Sequence, residues 1–223
     1  MNEKIEDKIR KIIRYEAKAI LNIPITEGYE KAVDIIYNQV HKKKGKLVAS
    51  GMGKAGQIAL NIATTFSSTG TPAVFLHPSD AQHGDLGVIQ ETDVLLLVSN
   101  SGKTLEILQL LELVDKLFDG RHLPTIVISG NPKSILAQRA DAFLFTGAPK
   151  EICPMGLTPT TSTTAMTVIG DVIVSLMIEK IGFTPEEYAK RHHAGYLGRK
   201  SRAIQKRNNI DILSIKNNNK ESK

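Results

Sequence analysis

Residues 93–104 read DVLLLVSNSGKT, an apolar run that gives way at Ser99 to hydroxyl, amide and glycine residues. The run is short and apolar, so it predicts a strand in the interior of a sheet. A helix-length stretch follows from Leu105. A strand, a polar turn and a helix in this order are typical of α/β proteins with a parallel sheet.

Four similar segments lie on either side of this one, and each predicts a strand. They cover residues 46–51, 73–77, 124–130 and 142–146. Helices are predicted between the strands at 54–67, 105–118 and 134–139, ahead of them at 3–21 and 27–41, and after them at 161–181 and 185–191. We therefore expect an α/β fold, a five-stranded parallel sheet flanked by helices in a flavodoxin-like three-layer sandwich.

Length and composition predict one soluble domain. The chain has 223 residues, of which 41% are hydrophobic, and apolar runs such as residues 94–98 are too short to cross a bilayer. The N-terminal segment mixes charges throughout, unlike an export signal, and the single Cys153 leaves no intrachain disulfide. We expect residues 1–205 to form the domain, residues 206–223 to form a basic disordered tail, and the protein to be cytoplasmic with no membrane partner.

The net charge of +6 is concentrated at the C-terminal end. From Lys190 onward, ten lysines and arginines stand against Asp211 and Glu221, which leaves −2 for residues 1–189. A solvated extension explains such a tail better than a nucleic-acid surface does. No nucleic-acid partner is expected.

The turn at residues 99–104 predicts an anion site. Its hydroxyl and amide side chains and its glycine come directly before a helix, where exposed N–H groups carry partial positive charge. Phosphate is the expected anion, and Lys103 adds positive charge nearby. The alternative is that these residues only cap the helix.

A second glycine turn, at residues 51–56, has the spacing of a dinucleotide fingerprint. That interpretation is weak, because the next strand ends in His77-Pro78 and not in an acidic residue for the ribose hydroxyls. No ATP-binding P-loop motif occurs either. No cofactor is expected.

Carboxylates and imidazoles near the strand ends are candidates for proton transfer. They are Glu106 in a first helical turn, Glu151 after the fifth strand, and the pair His192-His193. Each alone is explained as well by an ordinary surface residue. Strands three and five open on the same edge of the sheet, so Glu106 and Glu151 are expected to share a pocket.

Residues 77–87 hold two imidazoles, His77 and His83, with Asp80 and Asp85. Such a set can bind a metal, but the spacing matches no zinc pattern. A polar active-site loop explains it equally well.

Together these motifs resemble the arabinose 5-phosphate isomerase branch of the sugar-isomerase (SIS) family, the sugar-phosphate isomerases of capsule and lipopolysaccharide synthesis. The resemblance covers nearly the whole chain. It rests on Gly51-Met52-Gly53-Lys54, Thr69-Gly70-Thr71-Pro72, His83-Gly84-Asp85-Leu86-Gly87, Ser99-Asn100-Ser101-Gly102, Lys150-Glu151, Cys153-Pro154, the run TPTTSTT at 158–164, and Leu197-Gly198-Arg199-Lys200.

The resemblance implies reversible conversion of D-arabinose 5-phosphate to D-ribulose 5-phosphate through a cis-enediol, supplying synthesis of the acid sugar Kdo without a redox cofactor. It implies a homotetramer whose active sites are completed across subunits, and it leaves room for a nucleotide-sugar feedback ligand. The residues that it implies are catalytic Lys54, Glu106, Glu151 and His192; phosphate-binding Ser99, Asn100, Ser101 and Thr104; sugar-binding Gly70, Thr71 and His83; and His77 as a possible zinc ligand.

Within this set we expect Glu151 to be the base, with Glu106 as the alternative, His192 to be the acid that opens the ring, and Lys54 to stabilise the enediolate. The chain departs from the family in three ways. The CBS modules that usually follow are not expected here, His192-His193 replaces His-Pro, and Lys103 replaces an acidic residue. A rival interpretation is a non-catalytic module that senses a sugar phosphate or nucleotide sugar.

Overall fold

The computed structural model describes residues 3–193, 195–196, 198–201 and 203. Within them, five strands form one sheet in the order β2-β1-β3-β4-β5, and every neighbouring pair is parallel. The strands are β1 (Leu47–Gly51), β2 (Ala73–Phe75), β3 (Val94–Val98), β4 (Thr125–Ser129) and β5 (Ala142–Phe145). The predicted fold class is confirmed. The domain limits 1–205 remain a prediction, and the predicted tail at 206–223 lies outside the described residues.

The α-helices follow the predicted alternation with the strands. They are α1 (Glu3–Leu21), α2 (Gly28–Ile36), α3 (Gly53–Ser68), α4 (Pro78–Ala81), α5 (Leu105–Leu117), α6 (Ile135–Arg139), α7 (Thr161–Ile181) and α8 (Pro185–Arg191). Two bounds differ from expectation. The predicted helix at 27–41 becomes a π-helix over Tyr37–Lys42, and residues 78–88 contain α4 and a 3-10 turn, Asp85–Val88, where a loop was predicted.

The core lies in two layers on opposite faces of the sheet. Alternate residues of β3 separate cleanly: Leu96 belongs to a cluster with α2, α3 and α7, whereas Leu95 belongs to a cluster with α4, α5 and α6. All five residues of β3 are buried, since helices cover both faces. This explains why the strand is a continuous apolar run and shows no alternation of apolar and polar residues.

Helix α7 also has the length and composition of a membrane span, unlike the short runs considered in the sequence. Half of the apolar stretch of this helix is buried within the protein, and Met166, Ile169 and Ile173 belong to the core cluster shared with α3. Burial in the core of a folded domain accounts for this composition.

The amino ends of the central strands are fastened by an ion pair. The Asp93 side chain is fully buried, and it accepts hydrogen bonds from Lys46 N at 2.8 Å, Lys46 Nζ at 2.7 Å and Gln90 N at 2.8 Å. The pair therefore fixes the start of β3 beside the start of β1. It lies at the edge of the sheet opposite the polar turns.

Candidate active site

A cavity of about 310 Å³ opens at the carboxyl ends of β1 and β3. These strands are neighbours in the sheet, and the chain winds away from them in opposite directions, which is where ligands bind in open α/β sheets. The cavity is lined by residues from the starts of three helices: Met52, Lys54 and Ala55 at α3; Ser99, Asn100, Ser101 and Thr104 at α5; and Pro159, Ser162, Thr163 and Met166 at α7.

Of the three helix starts, those of α3 and α5 add positive charge to the cavity, since Glu151 binds N–H groups at the start of α7. The residues at their N-cap positions are Met52, Thr104 and Thr160, and none of these three described side chains caps its own helix. Backbone N–H groups of α3 and α5 are therefore left to point toward the cavity, where the helix dipoles add partial positive charge. Such a site suits a phosphate group.

The 99–104 turn is held rigid by its own hydroxyl groups. Ser99 is buried, and its Oγ accepts a hydrogen bond from Gly102 N at 3.1 Å and pairs with Thr104 Oγ1 at 2.8 Å. The capping alternative fails for Thr104, because its side chain makes no capping hydrogen bond to α5 and pairs with Ser99 instead. Asn100 and Ser101 are exposed and line the cavity.

Gly102 is required for this turn. Its φ is +62°, and a Cβ built on it would come closer than 3.0 Å to both the Oγ and the Cβ of Ser134. Ser134 cannot readily yield, since its Oγ donates to Asn131 O at 2.8 Å and accepts from Ala137 N at 3.2 Å. The close approach of these two segments shapes one wall of the turn.

Glu151 lies beside the start of α7. Its Oε2 accepts hydrogen bonds from Thr160 N at 2.8 Å, Thr160 Oγ1 at 3.0 Å and Ser162 N at 3.2 Å. Partial burial alone would raise the pKa of Glu151, but the hydrogen bonds from Ser162 and Thr160 together outweigh it and hold the pKa below its ordinary value of 4.5. Glu151 is thus an ionised carboxylate, joined to the cavity through Ser162.

Within one chain, the other proton-transfer candidates do not all lie at this cavity. Lys54 is exposed and lines the cavity, whereas Glu106, half-buried in the first turn of α5, is, like Glu151, outside the set of described residues that line it. His192 follows α8, where its ring stacks on Tyr188 with centroids 3.7 Å apart and its Nδ1 lies 3.0 Å from Tyr188 O. His192 and the exposed His193 do not line the cavity among the residues described. The expected sharing of one pocket by Glu106 and Glu151 therefore stays a prediction.

Gly70 and Thr71 lie at the opposite edge of the sheet. They precede β2, Gly70 packs against the ring of Phe183, and Thr71 Oγ1 pairs with His41 Nε2 at 3.0 Å. Within one chain, neither residue lines the cavity that contains Ser99. Their assignment to the substrate stays a prediction.

His77 and His83 lie beyond β2 at the carboxyl edge. His83 is exposed, and His77 Nδ1 is a buried atom 3.9 Å from Asp80 Oδ2. No group of three or more His, Cys, Asp or Glu side chains among the described residues is arranged to hold a metal ion. One chain therefore does not fit a closed zinc site at His77.

Ser162, Thr163 and Pro159 line the cavity but were not predicted to do so. Their signal was present, since the run TPTTSTT before α7 has the same hydroxyl-rich, helix-starting character as the 99–104 turn.

The chain is similar to known proteins in both sequence and structure. The family model of the SIS domain matches residues 39–176. The KdsD arabinose 5-phosphate isomerase of Yersinia pestis is 44% identical over 188 residues, covering 84% of this chain and 55% of the relative. The chain spans about half the length of the curated relatives that it matches.

Two solved structures are also similar. One, from Bacteroides fragilis NCTC 9343, is named for a proposed role as a phosphosugar isomerase in capsule formation; it is 61% identical, with a TM-score of 0.84, covering 86% of this chain and 99% of that one. The c3406 protein of Escherichia coli CFT073, solved in complex with arabinose 5-phosphate, is 32% identical, with a TM-score of 0.78, covering 86% of this chain and 99% of that one.

Proposed function

Because the chain belongs to the SIS domain family, we propose that it is an aldose–ketose isomerase that interconverts D-arabinose 5-phosphate and D-ribulose 5-phosphate. One observation carries the proposal: an electropositive cavity at the switch point of the sheet is joined, through Ser162, to an ionised carboxylate. The first feature suits a phosphate, and the second suits proton transfer. The names of the relatives support this substrate over other sugar phosphates.

In this proposal the phosphate binds at the 99–104 turn and the start of α3, which directs the sugar carbons toward α7. Glu151 removes the proton from C2 of the open-chain aldose and returns it to C1, so the enediol forms and collapses on one face. Lys54, which lines the same cavity, stabilises the negative charge that develops on the enediolate oxygen. Glu106 is the alternative base.

The imidazole that opens the sugar ring comes, in this proposal, from a neighbouring copy of the chain. His192 lies against Tyr188 on α8, away from the cavity of its own chain, and Gly70 and Thr71 lie at the opposite edge of the sheet. A homotetramer that brings these groups to a neighbour's cavity would complete each site. We place the enzyme in the cytoplasm, supplying Kdo synthesis, with a nucleotide sugar as a feedback ligand.

The test is turnover of arabinose 5-phosphate in deuterated water, followed by NMR. We expect ribulose 5-phosphate with deuterium at C1, and on reversal arabinose 5-phosphate with deuterium at C2, because the proton on the base exchanges with solvent. Phosphate-sugar binding without turnover or exchange would instead favour a sensing module, which needs the anion site but no base.

Glu151→Gln tests the assignment of the base separately from substrate binding. The amide oxygen can still accept hydrogen bonds from Thr160 and Ser162, but the side chain can no longer take up a proton. We expect turnover to fall by about 10³-fold or more while binding of the sugar phosphate survives. Glu106→Gln is the matched variant, and loss of activity there with an active Glu151→Gln would exchange the two assignments.

A further inference from the structure

Helix α1 is largely exposed, yet it forms hydrogen bonds with a segment far away in the sequence. It buries none of its residues 3–21, all of which the structure describes, and isoleucines along it are 41% to 60% exposed. Nevertheless two adjacent residues on it, Tyr15 and Glu16, form hydrogen bonds with the segment that carries Glu151, across sequence separations of 135 and 145 residues.

These bonds hold both sides of Glu151. The Tyr15 hydroxyl donates to the carbonyl oxygen of Lys150 at 2.9 Å, directly before Glu151. The Thr161 hydroxyl donates to Glu16 Oε1 at 2.6 Å and accepts from Ile152 N at 3.1 Å, directly after Glu151. Thr161 is fully buried, so this hydroxyl has one defined arrangement.

Thr161 also lies between the two residues that bind the carboxylate itself. Thr160 and Ser162 donate to Glu151 Oε2, and Thr161 is the residue that α1 holds. A displacement of Thr161 would therefore move the donors of Glu151 as well as its backbone. Both the position and the hydrogen bonding of the carboxylate depend on the same contact.

Helix α1 also lies against α7, but its packing against the segment before Glu151 is incomplete. A cavity of about 260 Å³ separates α1 from the start of the segment, lined by Tyr15, Lys18 and Asn22 on one side and Thr146, Gly147 and Pro149 on the other. Glu16 Oε2 is a buried atom without a hydrogen-bond partner among the described residues, so the carboxylate is held at this contact at a cost in solvation.

From this geometry we propose that Tyr15 and Glu16 are positioning residues for Glu151, and that α1 is a clasp that fixes the segment bearing the base. The inference rests on the proposed function only for the role of Glu151. The clasp itself is a property of the hydrogen bonds.

The variants are Tyr15→Phe, which removes one oxygen, and Glu16→Ala, with Glu16→Gln as the conservative variant because its amide oxygen still accepts from Thr161. Arg14→Gln, an exposed neighbour on the same helix, is the control. We expect Tyr15→Phe and Glu16→Ala to lower kcat for arabinose 5-phosphate by about 10- to 100-fold, since a misplacement on the order of 1 Å can cost that much. KM should stay within about threefold, because the phosphate turn is untouched, and Glu16→Gln should recover most of the rate.

Amide hydrogen exchange of residues 150–162 provides a readout that does not need turnover. We expect at least tenfold faster exchange at Thr160 and Ser162 in Tyr15→Phe and Glu16→Ala, with no change in the control.

Unchanged exchange in both variants overturns the clasp, and so does an unchanged kcat. Equal losses in kcat and binding together with a lower Tm would reduce α1 to a general stabilising element, which also overturns it. A wild-type protein that does not turn over the sugar, yet shows the exchange effect, contradicts only the isomerase function. If Glu16→Ala does not fold, Tyr15→Phe alone decides the outcome.

Discussion

Replacing Gly102 by alanine tests the anion turn most directly. The added Cβ meets two penalties: a left-handed backbone, which costs an L-residue about 1–2 kcal/mol, and overlap with the buried, hydrogen-bonded side chain of Ser134. Since Ser134 cannot readily retreat, the turn itself must shift by on the order of 1 Å. A displacement of that size at a binding group can weaken its interaction about 100-fold, or about 2.7 kcal/mol.

Thermal unfolding with inorganic phosphate measures this loss without any assumption about the sugar. At about 100 times its Kd, phosphate should stabilise the wild type by about 2.7 kcal/mol, which is a rise in Tm of about 5–10 °C for a chain of this size. With a Kd raised 100-fold, the same concentration should stabilise Gly102→Ala by only about 0.4 kcal/mol, a rise of about 1 °C.

Gly120→Ala is the matched control. Gly120 also has a positive φ, +78°, but nothing lies within 4 Å of the position of its Cβ. The control should lose about 1–2 kcal/mol of stability and keep the full phosphate response. If Gly102→Ala also keeps the full response, phosphate does not bind at this turn, and the argument from the helix starts is wrong.

Two further predictions concern pH and stability. Because the pKa of Glu151 is lowered, its carboxylate stays ionised as the pH falls, and the acid limb of kcat/KM should lie below pH 4.5. Thr160→Val removes one hydrogen bond to this carboxylate and should move the limb to higher pH. If the limb does not move in the pH–rate profile, Glu151 is not the essential base. Asp93→Asn removes the buried charge and places an amide N–H₂ against the donors of Lys46 and Gln90. In urea unfolding, the free energy of unfolding should fall by about 3 kcal/mol with the m-value unchanged. A loss below about 1 kcal/mol would show that water satisfies the partly exposed Lys46.

The fold was largely predictable from the sequence, because strands buried on both faces are continuous apolar runs with polar turns at their ends. All five strands lie within two residues of their predicted ends. The π-helix over Tyr37–Lys42 was not predictable, since its apolar spacing still resembles that of an α-helix. Helix α4 has only four residues, which is too short for any periodicity to appear.

The candidate site was predictable where one chain segment carries the whole signal. The hydroxyl cluster of the 99–104 turn and Lys54 after β1 both line the cavity. The positions of His192, Gly70 and Thr71 were not predictable, because they depend on how segments far apart in the sequence pack together. The hydrogen bonds that lower the pKa of Glu151 come from residues nine and eleven positions away, where no local spacing rule applies.

The turn proposed to bind phosphate and the carboxylate proposed as the base lie on separate parts of the polypeptide, one after β3 and the other before α7. Evolution can therefore change one module and keep the other. If the proposed function holds, loss of the acidic side chain alone would leave a protein that still binds the same sugar phosphate without converting it. The same separation makes the scaffold suitable for a biosensor, in which an inactivated binding site reports a metabolite without consuming it.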